Sequence, residues 1–255
     1  MSAGTYTPKP GAAPLTRMIA AQTAFETRLL LRNGEQLLLT VIIPSLLLVL
    51  FSTVDILDTG AGESVDFLAP GVLALAVMST AFTGQAIATG FERRYGVLKR
   101  LGASPLPRWA LMSAKTLAVL VTEVLQVVLL TVIAFALGWS PQGNPLSVVL
   151  LLVLGTAAFS GLGLLMAGTL RAEATLAAAN LVFLLLLMGG GVLVPLEKFP
   201  DGVQSALALL PISALSDGLR DVLQHGAGVP WGDLGILAVW AGVGLGAAAR
   251  YFRWE

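Results

Sequence analysis

The chain has 255 residues, no cysteine, one histidine (His225), and equal numbers of basic and acidic side chains, fifteen of each. Only 12% of it is charged, against about 25% in an average soluble domain, and its mean hydropathy is +0.85, which excludes a soluble globular domain and indicates an integral membrane protein. The same composition excludes a disulfide framework, a zinc–cysteine site and a histidine metal cluster, and zero net charge gives no argument for nucleic acid as a partner.

In chain order, residues 1–14 are polar and Pro-interrupted, and read as a disordered tail rather than a cleaved signal. Residues 15–33 place Leu15, Met18, Ile19, Gln22, Phe25, Leu29 and Arg32 near helical spacing, with Arg17 and Arg28 adding basic character. This pattern predicts an amphipathic interfacial helix on the cytoplasmic leaflet; the alternative is a plain extension of the first span. A membrane-crossing helix needs about 20 mostly apolar residues. Six stretches qualify: 36–54, 67–89, 114–137, 146–170, 174–194 and 233–249. Pro44 kinks the first of them, because a neighbouring helix can supply the backbone partner that proline lacks. Gly155, Gly161, Gly163 and Gly168 in the fourth span, and Gly242, Gly244 and Gly246 in the last, suit close helix packing in lipid. Residues 15–255 therefore read as a single all-α membrane domain.

Orientation follows from Lys and Arg alone. Thirteen of the fifteen fall on one side of this six-span layout, and only Lys198 and Arg220 fall on the other, which is acidic (Asp55, Asp58, Glu63, Asp66, Asp217, Asp221). The basic side is cytoplasmic and holds both termini.

Motifs for chemistry are missing. No Gly-x-x-x-x-Gly-Lys-Ser/Thr run exists to cradle nucleotide phosphates; "SAKT" at Ser113–Thr116 has the Lys-Thr pair without the glycines. "FSGLG" around Ser160 lacks the glycine before the serine that a nucleophile elbow needs, and His225 has acidic neighbours but no nucleophile. The chain is read as having no catalytic, metal or cofactor site.

Two polar features remain. Inside the spans, Glu123 and Gln126 lie in the third and Asn180 in the fifth, and an ionisable or amide group there faces protein or water. Two roles fit Glu123 and Asn180: helix-to-helix hydrogen bonding, or lining and gating a passage. The apolar run Asn180–Gly191 would suit a passage for an amphiphile. The second feature is the loop "GFERRYGVLKRLGASPLPRW", Gly90–Trp109, which gathers five of the fifteen basic residues. Phe91, Tyr95, Leu98 and Leu101 recur at helical spacing with Glu92, Arg93, Arg94, Lys99 and Arg100 between them, before Gly102 and Pro105 stop the helix. Such a helix fits docking onto another protein, and equally fits anchoring to anionic headgroups.

"FERRYGVLKRLGASPLPRWALMSAK" resembles the coupling-helix loop of ABC transporter permeases of the type-2 exporter class. "GGGVLVPLEKFPDGVQSALALLPISALSDGLRDVL", Gly189–Leu223, is similar to the family's segment after the fifth span, where Gly and Pro punctuate two short re-entrant helices. The resemblance runs from about Leu15 to Arg250, and the outer loop after the third span is too short for an extracellular domain. It implies a half-sized permease of the bacterial cell membrane that forms a homodimer, or pairs with a related permease, and works with two copies of a separate ATP-binding subunit that holds ATP and Mg. It assigns Phe91, Glu92, Arg93, Arg94, Tyr95, Leu98 and Leu101 to the ATPase-coupling helix. Glu123, Gln126, Asn180, Gly189, Gly190, Gly191 and Pro195 become candidates for pathway and gating. An amphiphilic, lipid-like or drug-like cargo follows from the same source; a stand-alone secondary transporter or channel, or a membrane scaffold, is the alternative.

Overall fold

The structure, a computed structural model, describes residues 11–34, 38–53, 64–192 and 200–253, and every regular element among them is helical. Residues 1–10 of the expected tail lie outside the described residues, as does Pro195. Helix α1 is Leu15–Arg32. A π-helical turn, Leu38–Ile42, leads into α2, Ile43–Thr53. Helix α3, Ser64–Arg94, carries a second π-helical segment at Met78–Gly84. Then come α4 (Val97–Gly102), α5 (Arg108–Ala136), α6 (Pro145–Thr169), α7 (Ala172–Gly189), α8 (Asp201–Leu207), α9 (Pro211–Leu223) and α10 (Trp231–Tyr251).

Five of these, α3, α5, α6, α7 and α10, are long and apolar enough to cross a membrane. The expected first span is represented by a shorter apolar helix, Thr40–Thr53, so the described residues hold five span-length helices where six spans are expected. The other expected spans match α3, α5, α6, α7 and α10 with ends shifted by several residues. The largest shift is at the start of α5, at Arg108 rather than 114, and α3 continues past 89 through Phe91–Arg94.

The core is built around α3. Every residue from Phe67 to Val77 is buried, because the segment is apolar on all faces and rich in Ala and Gly, which let neighbours close in from all sides. Against it lie α2, α9, α6 and α5. Helices α6 and α10 form the closest pair. A Cβ on Gly161 would fall 2.5 Å from the backbone nitrogen of Leu245, so only glycine permits this approach; Gly244 faces it from the other side. Gly242 and Gly246, expected to act likewise, have no atom within 4 Å of a would-be Cβ and play no part in this contact.

Between α7 and α10, the two short helices α8 and α9 occupy the link that lacks a full-length span. Helix α9 is almost wholly buried, including Arg220. The Arg220 guanidinium bonds Asp217 at 3.0 Å, donates to the Val192 carbonyl at 2.8 Å, and sits 4.1 Å over the Phe67 ring. The guanidinium stays charged there, paired with Asp217. The guanidinium thereby ties α9 to the end of the α7 segment and to α3.

Candidate functional site

The basic loop is not one helix from Phe91 to Leu101. Phe91–Arg94 complete α3, Tyr95 caps it, and Gly96 takes a left-handed conformation (φ +70°) that ends the helix before α4 restarts at Val97. A side chain is strained in that region, so the glycine sets the break. The expected stripe is split accordingly. Phe91 lines a groove described below and stacks on Tyr95, with ring centroids 6.2 Å apart, while Tyr95 itself is two-thirds exposed. Leu98 has no exposed surface: it packs with Leu111, Met112, Leu164, Ala248 and Phe252, with Leu101 at the edge of that cluster. Leu98 therefore anchors α4 onto the ends of α5, α6 and α10, and is a core residue rather than an exposed contact.

The charges of the loop also have partners within the chain. Lys115, at the start of α5, bonds Glu92 at 2.6 Å and Glu26 at 3.0 Å, and both Lys115 and Glu26 are buried. Arg93 donates to the Leu170 carbonyl, and Arg94 pairs with Glu173 at the start of α7. One helix end is thus tied to α1, α5 and α7 at once. Lys115, one of the thirteen basic residues on the cytoplasmic side by sequence, is the hub of a buried ion cluster. The apolar spacing of α1 points to Phe25 and Leu29 as its inner face, which would leave Glu26 off that face. Both are about half exposed, and the ion pair to Lys115 turns the Glu26 and Leu30 side inward. The available signal was a lone glutamate within an amphipathic helix and a lone lysine within a span.

Above this end lies a groove of about 630 Å³ between α2, α3 and α7. Its wall includes Pro44, Leu75, Ile87 and Phe183, with Thr40, Ser79, Thr83 and Asn180 as polar points. Asn180, the expected pathway residue, lies on this wall and donates to the Leu176 carbonyl one turn back at 2.9 Å. The wall contains both π-helical segments, and one residue spans them. Pro44 has no N–H to offer the Thr40 carbonyl, and Gln126 of α5 donates its amide there instead. The Gln126 oxygen accepts from Thr80 at 3.0 Å, inside the second π segment. The lost backbone bond anticipated at Pro44 is thus made good by a neighbouring helix, and Gln126 stands behind the wall as its tie.

Glu123 does not reach the groove. It is buried between α5 and α6, where it accepts a hydrogen bond from Thr156. Gly189, Gly190 and Gly191 close α7 at the opposite end. The Gly190 carbonyl accepts from Ser216 at 3.1 Å, and a Cβ on Gly190 would meet Ile212 at 2.3 Å. Of the candidate pathway residues within the described residues, Asn180 faces the groove, Gln126 backs it, and Glu123 and the glycines lie elsewhere.

No group of three or more His, Cys, Asp or Glu side chains suited to a metal ion occurs among the described residues. Comparison with known proteins agrees with the helical membrane architecture. Residues 52–250 match the family model described as "ABC-2 family transporter protein". The chain is 30% identical over 167 residues to the linearmycin resistance permease protein LnrN of Bacillus subtilis (strain 168), a match covering 63% of this chain and 43% of that permease. It is 24% identical over 221 residues to the putative transport permease YvfS of the same organism, covering 82% of this chain and 87% of that one.

Proposed function

This chain belongs to the ABC-2 family of transporter proteins, and from that premise we propose that it is the permease of an ATP-driven exporter moving an amphiphilic, lipid-like or drug-like substrate across the bacterial cell membrane. As a transport permease it is the transmembrane component; ATP and Mg²⁺ belong to two copies of a separate ATP-binding subunit, which meet the basic end on the cytoplasmic side with both termini. The observation that carries this reading is that α3 both walls the groove and ends in the tied basic segment. A push on α4 is passed through buried Leu98 to α5, α6 and α10, and through Glu92, Arg93 and Arg94 to α1, α5 and α7. Packed and ion-paired contacts of this kind shift as units rather than deform, so the movement reaches the groove wall.

The surface left for an ATP-binding subunit is the outer side of α4 and its flanks: Tyr95, Lys99, Arg100 and Trp109 are exposed. A second copy of the chain meets the outer faces of α2 and α7, where Leu46, Leu50, Leu181, Leu184 and Leu185 are exposed, and the two grooves then face one another. Helices α8 and α9 dip into the membrane from outside as re-entrant elements, with Arg220 tying α9 to α3 and to the Val192 carbonyl after α7.

The test is reconstitution of the chain with its ATP-binding subunit in proteoliposomes. Amphiphile-stimulated ATP hydrolysis and ATP-dependent movement of the amphiphile are expected, and Tyr95→Asp with Arg100→Glu should abolish partner binding while leaving membrane insertion intact. Transport by the chain alone, driven by an ion gradient without ATP, would overturn the reading in favour of a secondary transporter.

A further inference from the structure

Beside the groove, at the basic end, lies a second and smaller chamber of about 230 Å³, sharing Asn33 and Ala88 with the groove wall. Its character is opposite. Three charged residues line it, Glu26, Glu92 and Lys115. One ammonium serves two carboxylates, so with all three ionised the chamber carries one uncompensated negative charge, shared between buried Glu26 and partly buried Glu92. Such a charge is costly in a low-dielectric setting unless something pairs with it.

A further side chain points to an occupant. Gln85, in the turn where the second π-helical segment returns to α-helix, lines the chamber and is only 4% exposed. Neither its amide oxygen nor its amide nitrogen has a hydrogen-bond partner among the described residues. A buried primary amide left unpaired at both atoms is an expensive arrangement for a purely structural residue, since leucine would fill similar space without it. The free oxygen can accept a hydrogen bond from an ammonium group at the same place where the surplus negative charge lies.

We propose that this chamber is the head-group site for a cationic amphiphile: an ammonium enters between Glu92, Glu26 and the Gln85 oxygen, and the apolar body extends into the adjoining groove. This deepens the reading of the chain as an amphiphile permease and rests on it for the biological role. The occupant is specified by chemistry alone. The chamber's surplus charge selects a cation, its size admits a small amine and not a bulky headgroup, and the apolar groove at its mouth requires a hydrophobic body. Lys115, which fixes both carboxylates, also disfavours a divalent metal ion by its own charge.

The full chain in nanodiscs of zwitterionic phosphatidylcholine, without ATP or partner, is titrated with dansylcadaverine and with its N-acetylated neutral form, and binding is followed by dansyl fluorescence. Saturable binding of the cationic probe roughly tenfold or more tighter than that of the neutral one is expected, the usual scale for a hydrogen bond to a charged group. Glu92→Gln should bring the ratio close to one. Because Glu92 also holds Lys115, Gln85→Leu is the second variant: it removes no ion pair and should cut cation binding several-fold while raising the melting temperature of the empty protein. Equal binding of the two probes by the wild type, or a Gln85→Leu protein that is stabilised yet keeps the full cation preference, would overturn the proposal and leave the chamber as a water pocket. Since the measurement needs no transport, failure of ATP-driven export would leave a measured preference standing. Loss of the preference would leave export of neutral amphiphiles standing.

Discussion

Helices α3 and α7 have equal mean hydropathy in their most apolar windows, 1.8 each, yet 89% of the α3 window is buried and only 17% of the α7 window. Hydropathy reports whether a helix enters lipid, and says nothing of how many protein neighbours it has there. The difference comes from side-chain size and placement. In α3, Ala, Gly and small polar residues recur on all faces, so other helices close round it; Gly71, for instance, presses against the Val192 carbonyl and the Arg220 guanidinium. In α7, Leu181, Leu184, Leu185 and Met188 project outward and only Ala172, Thr175 and Ala179 are buried. One helix is the structural axis of the fold and the other a face awaiting lipid or a second copy.

Substitutions test that contrast. The largest effect is expected at the foot of α3, where Lys115→Met leaves buried Glu26 and partly buried Glu92 without their cation. Loss of one partner from a buried pair costs about 3–5 kcal/mol, read as a large fall in melting temperature of the purified chain in nanodiscs. A change no larger than that of a surface lysine would mean that α3 is not held there by the ion cluster.

Next is Gly71→Val in the middle of the axis. The new Cβ would sit 2.5 Å from the Val192 carbonyl oxygen, a backbone atom that cannot swing away. Overpacking of this kind costs about 1–3 kcal/mol, and the variant should also loosen α9, exposing its buried face to proteolysis. Gln126→Leu should follow at about 1–3 kcal/mol, since it removes the bonds to the Thr40 carbonyl and the Thr80 hydroxyl together. Hydrogen exchange should then speed up at both π-helical segments, and exchange changing at only one would show that the two are not tied through Gln126.

The smallest effect is expected on α7. Leu184→Ala should change the stability of the single chain by less than about 0.5 kcal/mol, because more than half of that residue is exposed. Cysteines placed one at a time from Leu181 to Met188 should nevertheless crosslink between two copies with helical periodicity. A loss of several kcal/mol from Leu184→Ala in nanodiscs would show the face already covered by a second copy. Failure to crosslink anywhere on it would leave α7 as a lipid-facing helix.

The amphipathic helix α1, five long apolar helices and the basic loop were legible in the sequence, because they depend on composition and period along the chain, which no distant neighbour alters. The two short helices before the last one were implied by the family resemblance. The partner that Pro44 requires was legible as a need, and only the fold could name Gln126 as the group that meets it. What side a residue faces was another matter. Leu98 and Tyr95 look alike as members of one stripe, yet one is fully buried and the other two-thirds exposed, since Gly96 breaks the helix between them and α4 turns onto the ends of α5, α6 and α10. Lys115, Glu92 and Glu26 read as three unrelated charges because 89 residues separate the outer two members of the Lys115–Glu26 bond. Burial made them one cluster: ions that water would keep apart must find each other once α1 and α5 close over them, and that closing is decided by tertiary packing alone.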